Sequence, residues 1–276
     1  MESEIRTTTP RGPGRLKRWV GRGLMGLLVL AVLAAVVDAS YQALGNSADA
    51  RRFPQQGKSV PRGPAFDNLS LSIDCRGQAS PTVILDSGLG VPAVGWNPVQ
   101  TEVAKFTRVC SYDRAGCGWS AATTLPRTST EIVKELHALL QAANEKGPYI
   151  LVGHSFGGFN VRVYNGQYPN EVLGMVLADV SHEDQEARMP PAMRAFMKKS
   201  AEQLKRQQML APLLIRFGVA RFAERNQVES PGVSKEFGQE MLYLQLQPKF
   251  IDAAASELDS FSESANEVPD RRQSGG

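Results

Sequence analysis

Tyr149-Ile150-Leu151-Val152-Gly153-His154-Ser155-Phe156-Gly157-Gly158 decides how the rest of the chain is read. Four apolar residues suit a buried strand, and Phe156 to Tyr168 reads as a helix, so a Gly-x-Ser-x-Gly pattern falls on a strand-to-helix turn. Such a nucleophile elbow lifts a serine to the start of the helix, where unpaired N–H groups favour negative charge. Gly153 and Gly157 are required because a side chain at either would meet neighbouring backbone, and Gly158 adds room. The same letters in a glycine-rich loop would carry no chemistry; the flanking strand and helix separate the two cases. Ser155 is therefore a candidate nucleophile, with the Phe156 N–H placed to donate to a developing oxyanion.

Outward from this turn, strands and helices alternate. Leu69, Leu71, Ile73 and Cys75 alternate with polar residues as a strand with one wet face, and Thr82-Val83-Ile84-Leu85 reads as a buried strand ending at Asp86-Ser87-Gly88-Leu89-Gly90. Trp96 to Phe106 has helical character, and Thr107 to Tyr112 is β-rich, closing at Asp113-Arg114. Thr128 and Glu131 stand in a capping-box relation before an apolar stripe at Ile132, Val133, Leu136, Leu139 and Leu140. A further strand, Met175 to Ala178, ends at Asp179. The alternation predicts an α/β fold, a mostly parallel sheet covered by helices, over a core at 67–180. Ligands bind such sheets at the carboxyl ends of the strands, where the Gly88 loop, Asp113, Ser155 and Asp179 fall.

The flanking segments are of different kinds. Residues 1–18 are basic, and an apolar run follows at 19–37, uninterrupted from Gly23 to Val37. That length suits a short membrane-spanning anchor and equally a signal-peptide core, with Val37-Asp38-Ala39 resembling a cleavage site. Either way the basic flank stays in the cytoplasm and the rest is exported, membrane-anchored or secreted. Residues 38–66 read as a linker rich in Gly, Ser, Pro and paired charges. Residues 181–262 form helix-prone sequence with Met189, Met193 and Met197, then Leu210 to Phe222, read as a helical cap over the sheet. The net charge of +3 is small and gathers near the N-terminus, leaving no basic patch for nucleic acid. Cys75, Cys110 and Cys117 lack metal-site spacing, so no metal is expected. Buried free thiols are the expectation for them, with a Cys75–Cys110 bridge open only to an oxidising compartment.

The sequence resembles the α/β-hydrolase superfamily, and within it membrane-anchored serine hydrolases. The resemblance rests on residues 81–90, Ser111-Tyr112-Asp113-Arg114-Ala115-Gly116 with Gly118-Trp119-Ser120, the turn at Ser155, and Met175 to Asp184. It implies that Ser155 is the nucleophile, that the N–H groups of Leu89 and Phe156 form the oxyanion hole, and that the first apolar run is an uncleaved anchor. The substrate it implies is a small-molecule ester or lipid-like acyl compound, hydrolysed without a cofactor. Asp113 and Arg114 are expected to brace loops, and Trp96 and Trp119 to pack near the site.

In this family the acid and then the histidine follow the serine. After Phe261 only Ser262 to Gly276 remain, with no apolar run long enough for a strand. The expectation is a chain lacking the final strands, with 263–276 a disordered tail and with little turnover. The alternatives are a catalytically inactive membrane-tethered binding module and a non-functional fragment. Among the histidines, His154 sits beside the nucleophile and faces elsewhere, and His137 lies mid-helix. His182, after the strand that ends at Asp179, is the one substitute base, with Asp179 or Asp184 as the acid; a loop-bracing role is the competing reading for each.

Overall fold

The computed structural model describes residues 14–61, 69–196, 199, 202 and 234–269. The first helix, α1, runs over Gly14–Arg52, 39 residues. At 1.5 Å per residue it is about 58 Å long, close to twice the ~30 Å of a bilayer's hydrocarbon core. Among the described residues it is the one helix long and apolar enough to cross a membrane. Trp19, Leu24, Leu28 and Val36 are all more than half exposed, so among the described residues no protein surface covers its apolar half. Its polar half passes through much of the expected linker at 38–66. Ser40 and Ser47 return their hydroxyls to the carbonyls four residues back, and serines that read as loop composition are thereby accommodated in a helix. Just past the helix, Phe53 is buried and stacked on Tyr243 at 6.3 Å.

The expected linker also contains a strand, β1 (Lys58–Pro61), that pairs with β2 (Ser70–Arg76). Only Val60 of β1 is buried, too short an alternation to be read as a strand from sequence. The sheet continues with β3 (Thr82–Asp86), β4 (Val109–Tyr112), β5 (Tyr149–Ser155) and β6 (Val172–Val180), in the order β1-β2-β4-β3-β5-β6. The pairs β1–β2 and β2–β4 are antiparallel; β4, β3, β5 and β6 run parallel. One face is covered by α3 (Ser129–Ala142) and α4 (Gly157–Gln167), whose Val133, Leu136, Leu140, Val161 and Tyr164 pack on Ile84, Cys110 and Leu151. On the other, Trp96 and Val103 of α2 (Asn97–Val103) and the turn before it meet Val83, Leu85 and Val109. Thr128 caps α3 by accepting from the Glu131 N–H at 3.4 Å, while the Glu131 carboxylate turns instead to Lys134.

Cys75 and Cys110 are disulfide-bonded, which corrects the expectation of free thiols. The antiparallel register sets them directly opposite each other, a pairing that a separation of 35 residues does not reveal. Cys117 is free and buried. Cys75, Cys110 and Glu145 gather closely enough to suggest a metal cluster, but the disulfide uses both sulfurs and Arg108 holds the Glu145 carboxylate.

Of the expected cap, α5 (Gln185–Arg188), α6 (Lys235–Gln245) and α7 (Pro248–Asp259) are described, whereas Met197 and Leu210 to Phe222 lie outside the described residues. The expected disordered tail is ordered as far as Pro269: α8 (Phe261–Asn266) buries Ser264 and Ala265. Ser264 Oγ accepts from the Ser129 N–H, and the Glu267 carboxylate accepts from the Thr130 N–H at 2.7 Å, so this segment satisfies the start of α3. These contacts lie more than a hundred residues apart in the chain, where no local pattern signals them.

Candidate active site

Ser155 ends β5 with φ +50°, a left-handed backbone that a serine adopts only where its surroundings enforce it. The neighbours do so. A Cβ on Gly157 would lie 2.5 Å from the Asp86 carbonyl oxygen, and one on Gly153 would lie 2.7 Å from the Gly157 carbonyl, so strand and helix meet backbone to backbone. Gly158 is crowded in the same way by Val180. The Ser155 carbonyl accepts from the Ser181 N–H at 3.0 Å, tying the turn to the end of β6.

The loop after β3 faces this turn. A Cβ on Gly88 would stand 3.3 Å from the Ser155 Cβ and 3.2 Å from His154 Nδ1. Behind the loop lies a buried polar cluster. Asp86 accepts from the Tyr112 hydroxyl at 2.6 Å, from Arg114 at 2.8 Å and from Asn160 at 3.2 Å. Arg114 also donates to the Ser87 and Gly88 carbonyls and to Glu257 on α7. Burial raises the Asp86 pKa, with Arg114 pulling the other way. Burial likewise opposes the Arg114 charge, but Glu257 and Asp86 outweigh it and hold the guanidinium above its ordinary range. Asp113, its pKa also raised by burial, accepts from the Ala93 and Trp119 N–H groups. The loop-bracing roles expected of Asp113 and Arg114 are thus what their hydrogen bonds describe.

The Leu89 and Phe156 N–H groups donate to no protein acceptor among the described residues. Phe156 is fully buried, and an unpaired N–H in such a place is rare unless a ligand completes it.

The other candidates are not gathered there. Asp179 has φ +47° at a register shift between β5 and β6, and it bonds neither Ser155 nor His182 among the described residues. The His182 ring is about half exposed, and its Nδ1 accepts from the Asp184 N–H at 3.0 Å, within its own loop. Asp184 pairs with Arg188. His154 meets the edge of Trp96 at 6.4 Å between ring centres. His137 bonds Glu171 and stacks on Tyr168 at 3.9 Å, a packing role. Sequence reading missed Glu257, Asn160 and Tyr112. The first sits on an amphipathic helix 143 residues from its arginine, with no motif to mark it.

A mostly parallel α/β sheet with a left-handed serine at a strand-to-helix turn on its carboxyl edge defines an α/β-hydrolase type of protein. The chain belongs to the alpha/beta hydrolase fold family, whose model matches residues 81–255. YqjL, an uncharacterized protein of Bacillus subtilis strain 168, is 34% identical over 104 residues, 38% of this chain and 41% of that one. The match thus spans less than half of that relative's length. A thermophilic esterase from Thermogutta terrifontis superposes with a TM-score of 0.54 at 18% identity, over 74% of this chain and 72% of that one. A membrane phospholipase A does so with a TM-score of 0.51 at 18% identity, over 89% and 74%. Both share the fold.

Proposed function

We propose that the chain is a serine hydrolase in which Ser155 attacks an ester-type substrate, anchored by residues 19–37 with its hydrolase domain on the exported side of a membrane. The observation that carries the reading is the φ of +50° at Ser155 between β5 and α4, the strained backbone a nucleophile elbow requires. In the reaction Ser155 Oγ bonds to the carbonyl carbon, and the carbonyl oxygen takes up negative charge beside the Leu89 and Phe156 N–H groups. Collapse expels the alcohol, which carries off the proton lost from the Ser155 hydroxyl and relayed by water; a second water then adds to the acyl carbon, frees the acid and returns a proton to Ser155 Oγ. No ligand group beyond these is invoked.

Among the described residues no base is hydrogen-bonded to Ser155 Oγ. The oxyanion donors and binding alone support about a thousandfold acceleration over water. We read His182 as a loop residue, since its ring bonds within its own turn, and Asp179 as the residue that absorbs the register shift at the end of β6. The unassisted hydroxyl favours a second reading, a membrane-tethered module that binds an ester or lipid-like ligand in this site without turning it over. The topology draws on Arg15, Lys17, Arg18 and Arg22 ahead of the apolar run and on the Cys75–Cys110 disulfide, which suits an oxidising compartment.

Hydrolysis of short-chain p-nitrophenyl esters by the detergent-solubilised full chain tests the reading. The expected result is a slow rate that falls to background in Ser155→Ala. Equal rates in the two proteins would sink the hydrolase reading; ligand retained by both without turnover is what the binding module requires.

A further inference from the structure

Glu257 is fully buried, and each of its oxygens is committed. Oε1 accepts from Arg114 Nε at 2.6 Å; Oε2 accepts from Arg114 Nη2 at 3.1 Å and from the Gly90 N–H at 2.9 Å. Through the same arginine the Ser87 and Gly88 carbonyls are held at 2.8 and 2.7 Å. The loop's backbone groups at Ser87, Gly88 and Gly90 are therefore drawn toward Arg114 and α7, and the Leu89 N–H between them has no partner among the described residues. The packing agrees with the polar contacts: Gly90 rests against Ala254 and Phe250 of α7, and Gly116, beside the arginine, is pressed by Ala253. Glu257 also lies beyond the stretch that the family model matches, which ends at residue 255.

We propose that Glu257 is the positioning residue of the Ser87–Gly90 loop, acting with Arg114 to hold the Leu89 N–H toward Ser155, so that α7 is part of the active site and not a lid upon it. The carboxylate reaches the loop across the fold and touches neither substrate nor the reacting atoms. It fixes where one oxyanion donor stands, and a donor displaced by about 1 Å loses on the order of a hundredfold in rate. The catalytic half of this proposal rests on Ser155 being the nucleophile; the positional half does not.

Two measurements on the detergent-solubilised full chain separate the halves. The first is hydrogen exchange of the peptide spanning residues 87–92, with β5 as internal reference. Glu257→Gln keeps an acceptor but loses the charge that binds Arg114, and exchange at Gly90 is expected to rise about tenfold or more, as loss of a charged-group hydrogen bond implies, with β5 unchanged. Glu257→Asp, which keeps the charge and serves as the second variant should the Gln form not fold, falls between. Ser256→Ala, on the same helix but bonded to the Arg127 N–H, leaves the loop as in the parent. Unchanged exchange at 87–92 in both Glu257 variants overturns the positional claim.

The second measurement is the reaction of Ser155 with a fluorophosphonate. The maximal inactivation rate is expected to fall roughly 10- to 100-fold in Glu257→Gln, with partial rescue in Glu257→Asp and with probe affinity within about twofold of the parent. Raised exchange with an unchanged inactivation rate overturns the catalytic half and leaves a structural strut. A parent chain whose Ser155 does not react overturns the nucleophile reading and the catalytic half together, and exchange then decides the positional half alone.

Discussion

The two sides of Ser155 are built differently. On the β3 side, the Ser87–Gly90 loop is fixed by Arg114, Asp86 and Glu257, all buried and mutually satisfied. On the β6 side, Leu173 and Val176 are 63% and 51% exposed, and His182 bonds within its own turn. The first side resembles the interior of an enzyme, where charged groups set geometry. The second is an exposed apolar strand whose following turn is held by Arg162 through Glu183 and the Ser181 carbonyl, and which among the described residues offers Ser155 no base. Placing a nucleophile and activating it are thus separate tasks, assigned to opposite sides of one turn. In the proposed reading, the described residues supply the placing side.

The contrast can be broken from either side. The largest effect is expected at the turn: Ser155→Ala should remove all covalent labelling while the melting temperature changes little, since alanine must adopt the same left-handed backbone. Next is Arg114→Met, which strands the Asp86 and Glu257 carboxylates in the interior; a loss of about 3–5 kcal/mol is expected in denaturant unfolding. A loss below about 1 kcal/mol would mean that the cluster is not the tight framework described. Gly157→Ala forces a methyl against the Asp86 carbonyl and should cost about 3 kcal/mol, the upper part of the overpacking range. On the open side, Leu173→Lys should change stability by no more than about 0.5 kcal/mol. A large loss there would show that another segment or partner covers β6. Smallest of all, His182→Asn should leave the labelling rate within about twofold, because a general base contributes a hundredfold or more; a drop of that larger size would move His182 into the machinery.

The placing side was largely legible in the sequence, because backbone geometry leaves local marks. Gly153, Ser155 and Gly157 signal the turn through their spacing together with the apolar run before it and the helix after it, and β3, β4 and β5 are signalled by short apolar runs. The bracing role of Asp113 and Arg114 comes from the family resemblance of the stretch they sit in, and their hydrogen bonds agree with it. What could not be read were partners joined across the fold. Cys75 meets Cys110 only through strand register, and Glu257 meets Arg114 only once α7 packs on Gly116. Ser264 and Glu267 serve the start of α3 from a stretch whose polar composition reads as disorder. The helix through 38–52 was hidden for a different reason: its serines and glycine resemble loop composition, and its continuation from an apolar helix overrides that weak propensity.

The proposal at the centre of this reading is that the fold places Ser155 as a nucleophile with no hydrogen-bonded base among the described residues. Intact-mass analysis of the full chain after incubation with a fluorophosphonate, followed by peptide mapping, tests it most directly. The account predicts one adduct per chain, carried by Ser155, accumulating slowly and absent from Ser155→Ala. A folded chain that gains no adduct on Ser155 would contradict the placement, and an adduct complete within seconds would contradict the unassisted hydroxyl.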